Sequence, residues 1–319
     1  MYYIGVDIGG MSMKSGIVDE NGVIISSSVI PTDKVKYKTH VKKLSRDILN
    51  LIKNSSIDIT QIKGIGVGCP GAISPSDGSV HFSNNLGWTD VNLKKDLEEL
   101  TGLNVRIAND ADSATLGELI FGVAKNYKNV VMITLGTGVG GGVIINKKLY
   151  EGSLGVVSEL GHITLRSGGL QCSCGRRGCY EQYASVTALI RQTKESMKKH
   201  KTSKMWNYCD GDIEKVNGKT AFLASKAGDK YARNVVEKYI NYIAEGLLDV
   251  CNVFRPDAIV LGGAISKEGR YLTDKIVKYL DIRDYGYPGA PRSEILVAKL
   301  GNDAGIVGAA ALVAEEDFS

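Results

Sequence analysis

The chain lacks several features that would place it in common classes of protein. No apolar run approaches the roughly 20 residues that a membrane-spanning helix requires, so we expect no membrane partner. The Walker pattern G-x-x-x-x-G-K-[ST] of P-loop nucleotide-binding proteins is absent. A strand-like segment follows Met1 directly, which predicts no signal peptide and a cytoplasmic location.

The charge balance also lacks the excess that is typical of nucleic-acid-binding proteins. Lysine and arginine number 39 against 35 aspartate and glutamate residues, and the surplus is spread along the chain. The densest basic stretch, residues 191–204, is interpreted as a solvated helix face, so we expect no nucleic-acid partner. With 319 residues, 43% of them hydrophobic, the chain is long enough for two globular domains.

A pattern of strand, glycine turn and strand occurs twice. Setting Gly9 against Thr137 gives an offset of about 128 positions. We interpret the repeat as an internal duplication of an α/β domain, with ligands expected in a cleft between the two copies. The predicted strands are Tyr3–Asp7, Lys14–Asp19 and Val23–Ile30 in the first copy, and Val130–Leu135 and Val143–Ile145 in the second.

The remaining elements complete a mixed α/β chain. We predict a first domain over residues 1–115, completed by a C-terminal helix at 303–319, and a second domain over residues 116–302. Hydrophobic spacing and turn residues predict strands at Ile62–Gly68, Asn104–Ala108, Ala258–Leu261 and Leu296–Leu300, and helices at Val41–Ile52, Lys94–Leu100, Ala111–Gly122, Thr187–Lys204, Thr220–Cys251, Gly269–Leu280 and Ala304–Glu315.

Three glycine loops each follow a predicted strand. They are Asp7–Gly10, Leu135–Gly142 and Leu261–Gly263. Glycine lets backbone N–H groups approach a ligand closely, and such concavities bind anions. The middle loop matches G-x-G-x-x-G, but a strand follows it where the dinucleotide fingerprint needs a helix. One such loop can be an ordinary turn, whereas three in a duplicated architecture favour a nucleotide-phosphate site.

Two charged residues adjoin the first loop. Asp7 ends the first strand, where a carboxylate suits the hydrated magnesium ion that accompanies ATP. The alternative is an aspartate that caps its own turn. Lys14 could approach phosphate, with a solvated strand lysine as the alternative.

A cysteine cluster predicts a metal site. Cys172, Cys174 and Cys179 lie within eight residues on a glycine-rich run, and His162 lies ten residues earlier. Three thiolates and one imidazole complete a tetrahedral zinc site with no open position, so its role would be structural. Three unrelated thiols are the alternative. Disulfides are not expected in the cytosol.

These motifs together resemble the ROK family, which contains bacterial sugar kinases and related repressors. The resemblance spans essentially the whole chain and implies an actin-like (ribonuclease H-like) α/β fold, duplicated, with a central inter-domain cleft. It rests on Asp7–Gly10, Asn109-Asp110, Leu135–Gly140, Glu159–His162, Cys172–Glu181 and Leu261–Gly263.

The resemblance also implies residue roles. Asp110 matches the family's catalytic base, although an aspartate there could simply cap the following helix. His162 would hold zinc with one ring nitrogen and a sugar hydroxyl with the other. The expected substrate-binding residues are Gly71, Asn109, Asp110, Glu159, His162 and Glu181. The expected ATP-binding residues are Asp7, Gly9, Gly10, Ser12, Lys14, Gly136, Thr137, Gly138, Gly140, Gly262 and Gly263.

The first glycine loop departs from the family pattern at one position. Met11 stands where the family usually has a threonine, whose hydroxyl lies near the transferred phosphate. Ser12 is adjacent, but in a regular strand it would point to the other face. The contact of this loop with ATP is therefore less directly implied than that of the other two.

The leading hypothesis is a kinase that transfers the γ-phosphoryl of ATP to the 6-hydroxyl of a hexose. Glucose leads because Asn85–Trp88 resembles a segment of the family's glucokinases. N-acetylmannosamine, N-acetylglucosamine, allose and fructose stay open as acceptors. Family members are commonly dimers, so we expect a homodimer.

Two other classes of protein are weighed against the kinase. A family repressor carries an additional DNA-binding helix-turn-helix, for which a first strand starting at Tyr2 leaves no room. A chaperone-like or cytoskeletal ATPase of the same general fold would have no use for the cysteine cluster.

Overall fold

The computed structural model describes residues 1–32, 36–152, 156–287 and 289–318. These residues form two compact units. The first comprises Met1–Val130, Gly142–Ser158 and Ala298–Ser319, and the second comprises Val131–Gly141 and Glu159–Val297.

The bounds of the strands and α-helices in the described residues are as follows. The strands are β1 (Tyr2–Ile8), β2 (Ser12–Asp19), β3 (Ile24–Pro31), β4 (Ile62–Gly68), β5 (Ala72–Ile73), β6 (Val80–Ser83), β7 (Trp88–Val91), β8 (Val105–Ala108), β9 (Val130–Leu135), β10 (Val139–Ile145), β11 (Lys148–Leu149), β12 (Ala258–Gly262) and β13 (Glu294–Val297). The α-helices are α1 (Tyr37–Asn54), α2 (Leu93–Thr101), α3 (Asp110–Ile120), α4 (Glu181–Ala184), α5 (Val186–Lys199), α6 (Thr220–Lys226), α7 (Lys230–Phe254), α8 (Arg270–Arg283) and α9 (Ala304–Phe318).

The first sheet has the order β3-β2-β1-β4-β8. Strands β1 to β3 form an antiparallel meander, and β4 and β8 run parallel to β1. Helix α1 covers this sheet with its apolar face, because Val41, Leu44 and Ile48 recur at helical spacing and are all buried. Helix α9 packs against β1 and β4. The carboxyl ends of β1, β4 and β8 therefore lie side by side at one edge of the sheet.

The second sheet repeats the order of the first. Its strands follow β11-β10-β9-β12-β13, so that β9 takes the place of β1 and β12 that of β4. Strands β10 and β11 are antiparallel, and β12 and β13 are parallel, as in the first sheet. This repeat is the physical form of the duplication that the glycine pattern predicts.

A small three-stranded sheet, β5-β6-β7, has no counterpart among the predicted elements. It carries Trp88, which is only 3% exposed. The Trp88 ring packs against Tyr37 and His40 of α1, with ring centroids 5.1 Å and 5.8 Å apart. Trp88 is therefore a core residue of the first unit, and it does not offer a surface for a sugar.

Several predicted elements differ from the observed ones. The helix predicted at Thr187–Lys204 ends at Lys199, and the strand predicted at Val143–Ile145 begins at Val139. The predicted helix Thr220–Cys251 is two helices, α6 and α7, because Gly228 has a positive φ of 85° and Asp229 caps α7 by accepting from the Ala232 N–H at 2.7 Å. The predicted strand Leu296–Leu300 lies instead at β13, since parallel pairing with β12 fixes its register. Within the described part of the chain, no helix combines the length and apolarity needed to cross a membrane.

Candidate active site

The first glycine loop joins β1 to β2 in the first unit. The Gly9 N–H donates to the Ser12 carbonyl at 2.9 Å, which closes the turn. Thr32, the residue after β3, donates its hydroxyl to the Gly9 carbonyl at 2.8 Å and its N–H to the Met11 carbonyl at 3.0 Å. Gly10 lies beside Asn85. The Met11 side chain is 89% exposed, and a thioether donates no hydrogen bond, so this loop offers phosphate its backbone groups.

Asp7 lies beside that loop, near the carboxyl end of β1. Its carboxylate is 3.9 Å from the Lys14 ammonium on the neighbouring strand and packs against Gly305 in the first turn of α9. Burial raises the pKa of Asp7, the Lys14 ammonium lowers it, and the charge of Asp110 raises it. The carboxylates of Asp7 and Asp110 therefore interact electrostatically. A carboxylate in this position fits a magnesium ligand, and the helix terminus also stabilises its charge.

Asn109 and Asp110 stand at the carboxyl end of β8, where α3 begins. Asn109 is the N-cap, and its Oδ1 accepts from the Ala111 N–H at 2.9 Å. Asp110 is the first helical residue, and its Oδ1 accepts from the same N–H at 2.9 Å. The N-cap position is thus held by Asn109, and the Asp110 carboxylate shares the same N–H donor.

The surroundings of Asp110 raise the pKa of its carboxyl group. Its side chain keeps an exposed surface, but burial by the surrounding protein raises its pKa, while the Ala111 N–H lowers it. Asn109 reaches the next loop, because its Nδ2 donates to the Gly71 carbonyl at 3.2 Å. The first unit thus brings together Asp7, Gly71, Asn109 and Asp110.

The second and third glycine loops meet in the second unit. The Gly136 N–H donates to the Gly138 carbonyl at 3.0 Å, which forms the turn between β9 and β10. Gly263 follows β12 and packs against the backbone of Leu135. Gly140 lies within β10 and Gly262 ends β12, so both are strand residues at the edge of these loops. Strand β10 directly after the loop excludes the dinucleotide-binding interpretation.

Four potential metal ligands converge in the second unit. The ligand atoms of His162, Cys172, Cys174 and Cys179 lie within 4.8 Å of one another. The His162 Nδ1 is 3.6 Å from the Cys172 sulfur, and the sulfurs of Cys174 and Cys179 are 3.6 Å apart. A tetrahedral ion with Zn–S bonds of about 2.3 Å separates its sulfurs by about 3.8 Å, so the four residues fit zinc.

The geometry around the cluster connects it to two expected sugar residues. His162 turns Nδ1 to the cysteines, and its Nε2 lies 4.0 Å from the Glu159 carboxylate. Tyr180, next to Cys179, is fully buried, and its hydroxyl donates to the Ile243 carbonyl of α7 at 2.9 Å. Glu181 follows as the first residue of α4. Glu159, His162 and Glu181 are thus all held close to the cluster.

Two glycines of the cysteine loop give a matched test of its rigidity. Both have positive φ, 88° at Gly175 and 83° at Gly178. A Cβ at Gly178 would overlap the Arg166 carbonyl, whereas nothing lies within 4 Å of a Cβ at Gly175. We expect Gly175→Ala to cost only the backbone strain, about 1–2 kcal/mol, and Gly178→Ala to cost clearly more. Loss of metal to a competing chelator at increasing concentration measures the difference, and equal loss from both variants would contradict it.

Two threonines that hold glycine loops carry no signal in the sequence. Thr32 fixes the first loop, and Thr187 donates its hydroxyl to the Thr137 carbonyl of the second loop at 2.7 Å. Thr32 lies 23 residues from Gly9 in the sequence, and Thr187 lies 50 residues from Thr137. Only the folded chain shows these contacts.

Comparison with known proteins identifies the family. The model of the ROK family matches residues 3–316. The chain belongs to the ROK family. It is 36% identical over 316 residues to a glucokinase of Streptomyces coelicolor, which covers 98% of each chain. It is also 30% identical over 320 residues to the xylose repressor of Bacillus subtilis, covering 98% of this chain and 77% of that one.

The fold comparison agrees with the family. The crystal structure of a ROK family glucokinase from Streptomyces griseus in complex with glucose and AMPPNP superposes with a TM-score of 0.81 at 35% identity, covering 98% of this chain and 99% of that one. This chain is mixed α/β with a repeated sheet order, its structural neighbours include ROK sugar kinases, and the predicted fold class is confirmed.

Proposed function

We propose that this ROK family protein is an ATP-dependent glucose kinase that transfers the γ-phosphoryl of ATP to the 6-hydroxyl of the sugar. The observation that supports this most is the likeness over nearly the whole chain to glucokinases, among them one with glucose and AMPPNP bound. The placement of Asp110 near Asp7 and the first glycine loop agrees with it.

Asp110 would act as general base. As the sugar oxygen forms its bond to the γ-phosphorus, its proton would pass to the Asp110 carboxylate, and the bond from that phosphorus to the bridging oxygen of ADP would break. The Ala111 N–H fixes the Asp110 carboxylate, and Asn109 and Gly71 stand beside it for the sugar. These roles require Asp110 to be ionised in the enzyme–substrate complex.

The other expected contacts divide by chemistry. Glu159, His162 and Glu181 would accept or donate hydrogen bonds to the remaining sugar hydroxyls. Backbone N–H groups of the three glycine loops, helped by Ser12, Thr137 and Lys14, would face the nucleotide. Magnesium bound with ATP would neutralise phosphate charge, and Asp7 is the carboxylate suited to help hold it.

Zinc in the four-ligand cluster would be structural. Four protein ligands leave no open coordination position. The ion would fix the His162 ring, so that Nε2 faces away from the cysteines, and the backbone that leads from Cys179 to Glu181. The metal would therefore support sugar binding through the positions of these two side chains.

Glucose is proposed as the sugar on the strength of the relatives, because Trp88 of the Asn85–Trp88 segment is buried in the core of the first unit. We expect kcat/KM for glucose to exceed that for N-acetylmannosamine or N-acetylglucosamine by about 10- to 200-fold, the usual worth of pocket contacts around one substituent. A coupled assay of ADP release across these sugars, allose and fructose measures it. A tenfold preference for an N-acetyl sugar would contradict glucose as the substrate, while the proposal of a sugar kinase would stand.

A sugar-sensing regulator without kinase activity is the second candidate, because a xylose repressor is among the relatives. The same assay separates the two, since a regulator would bind sugar without releasing ADP. We further propose two functional domains, with α9 completing the first. The compact units place residues 116–130, 142–158 and 298–302 with the first domain, where the boundaries predicted from the sequence placed them in the second. A homodimer and a cytoplasmic location stay predictions, and sedimentation of the purified protein tests the first.

A further inference from the structure

One short segment donates hydrogen bonds to the backbone of the second glycine loop. The segment Glu181–Thr187 follows the last cysteine of the cluster. The Val186 N–H donates to the Gly136 carbonyl at 2.8 Å, and the Thr187 hydroxyl donates to the Thr137 carbonyl at 2.7 Å. These two contacts fix the first half of the loop, and neither uses a group that the proposed sugar site needs.

The third contact is made by the carboxylate of Glu181. Its Oε2 accepts from the Val139 N–H at 3.0 Å. A Cβ at Gly138 would overlap that oxygen, so the close approach requires glycine there. No group in the described part of the chain donates to Oε1. A carboxylate can accept on both oxygens, so Glu181 has one engaged by the nucleotide loop and one available.

We propose that Glu181 couples hexose binding to nucleotide binding. This rests on the proposed function, because it takes Glu181 as a sugar-binding residue. A hexose hydroxyl that donates to Oε1 immobilises the carboxylate, and the immobilised carboxylate keeps Val139 and Gly138 in place for the nucleotide. The second ligand then meets a loop that is already ordered, which favours its binding. The coupling must be reciprocal, since each ligand changes the affinity of the other by the same factor.

Two substitutions separate this role from simple support of the loop. Glu181→Gln keeps the size of the side chain and one oxygen that can accept from the Val139 N–H, but an NH2 group then takes the place of Oε1 and cannot accept from a sugar hydroxyl. Thr187→Val removes a different support of the same loop and leaves the carboxylate intact. Glu181→Asp provides a second test should the glutamine variant fail to fold, because the shorter side chain cannot span both partners.

The experiment is calorimetric titration of the full chain with AMPPNP, in the absence of hexose and with glucose saturating for each variant. In the unchanged protein we expect glucose to lower the Kd of AMPPNP by about 5- to 20-fold, within the usual range of coupling between two sites. In Glu181→Gln this factor should fall to about one. In Thr187→Val the Kd of AMPPNP should rise while the factor is kept.

Three results would overturn the proposal while the kinase stands. They are a factor of one in the unchanged protein that binds both ligands, an unchanged factor in Glu181→Gln, or an equal loss of the factor in Thr187→Val. Absence of any glucose binding by the unchanged, folded protein would instead remove the proposed glucose kinase, and this inference with it.

Discussion

Asp110→Asn should lower kcat about 10²- to 10⁴-fold, the usual contribution of a general base. A sugar hydroxyl is a poor nucleophile until its proton has an acceptor, and an amide cannot take that proton. Asparagine keeps the size of the side chain and one oxygen that can accept from the Ala111 N–H. Because Asn109 caps α3, the melting temperature should change little. Steady-state kinetics, calorimetric glucose binding and a melting curve measure the three quantities.

A matched substitution controls for the chemical change. Asp58 is fully exposed, caps a short helical turn by accepting from the Thr60 N–H at 2.8 Å, and has no part in the proposed site. Asp58→Asn should therefore leave kcat unchanged. An Asp110→Asn variant that binds glucose, melts normally and turns over at the rate of the unchanged protein would remove Asp110 from the mechanism.

Cys174→Ser should abolish tight metal binding. The unchanged protein should carry about one zinc ion per chain, held by four ligands. Apparent binding free energies of structural zinc sites are about 10–16 kcal/mol at neutral pH. The zinc lost when one thiolate is removed should therefore be evident in elemental analysis. Cys174 is the exposed member of the cluster, and its substitution leaves no cavity in the core. We expect weaker glucose affinity too, because Glu181 follows the loop that the metal would hold.

Cys209→Ser is the control for this change. Cys209 is buried in the second unit, where its sulfur donates to the Met205 carbonyl at 3.6 Å, outside the cluster. Its substitution should leave the metal content unchanged. Full glucose kinase activity in an unchanged protein free of metal would show that the four ligands serve another purpose.

The local features of the fold could be read from the sequence. The spacing of Val41, Leu44 and Ile48 predicted α1, and hydrophobic residues bounded by turn residues predicted β4 and β9 with their observed bounds. These signals act between near neighbours, where side-chain period and turn residues decide the structure. The β5-β6-β7 sheet gave no such signal, because its strands are only two to four residues long.

The two threonine contacts and the position of Trp88 show where local patterns fail. Trp88 suggested a sugar segment by likeness, yet its ring packs against Tyr37 and His40, which come from a helix far earlier in the chain. In the sequence, nothing distinguishes Thr32 and Thr187 from other polar residues, and only the folded chain shows their contacts with the glycine loops. Contacts over such separations depend on how elements pack, which neighbouring residues do not specify.

The sequence by itself determined the inventory of the site: three glycine loops at strand ends, an Asn-Asp pair before a helix and a set of three cysteines and one histidine. Each is a local pattern with its own chemistry. The tertiary structure decided which groups meet. It gave the cap of α3 to Asn109, drew the four metal ligands within 4.8 Å and placed the Glu181 carboxylate on the Val139 N–H. Those contacts follow from sheet order and helix packing, because a hydrogen bond needs two groups within about 3 Å, and only the whole fold sets that distance.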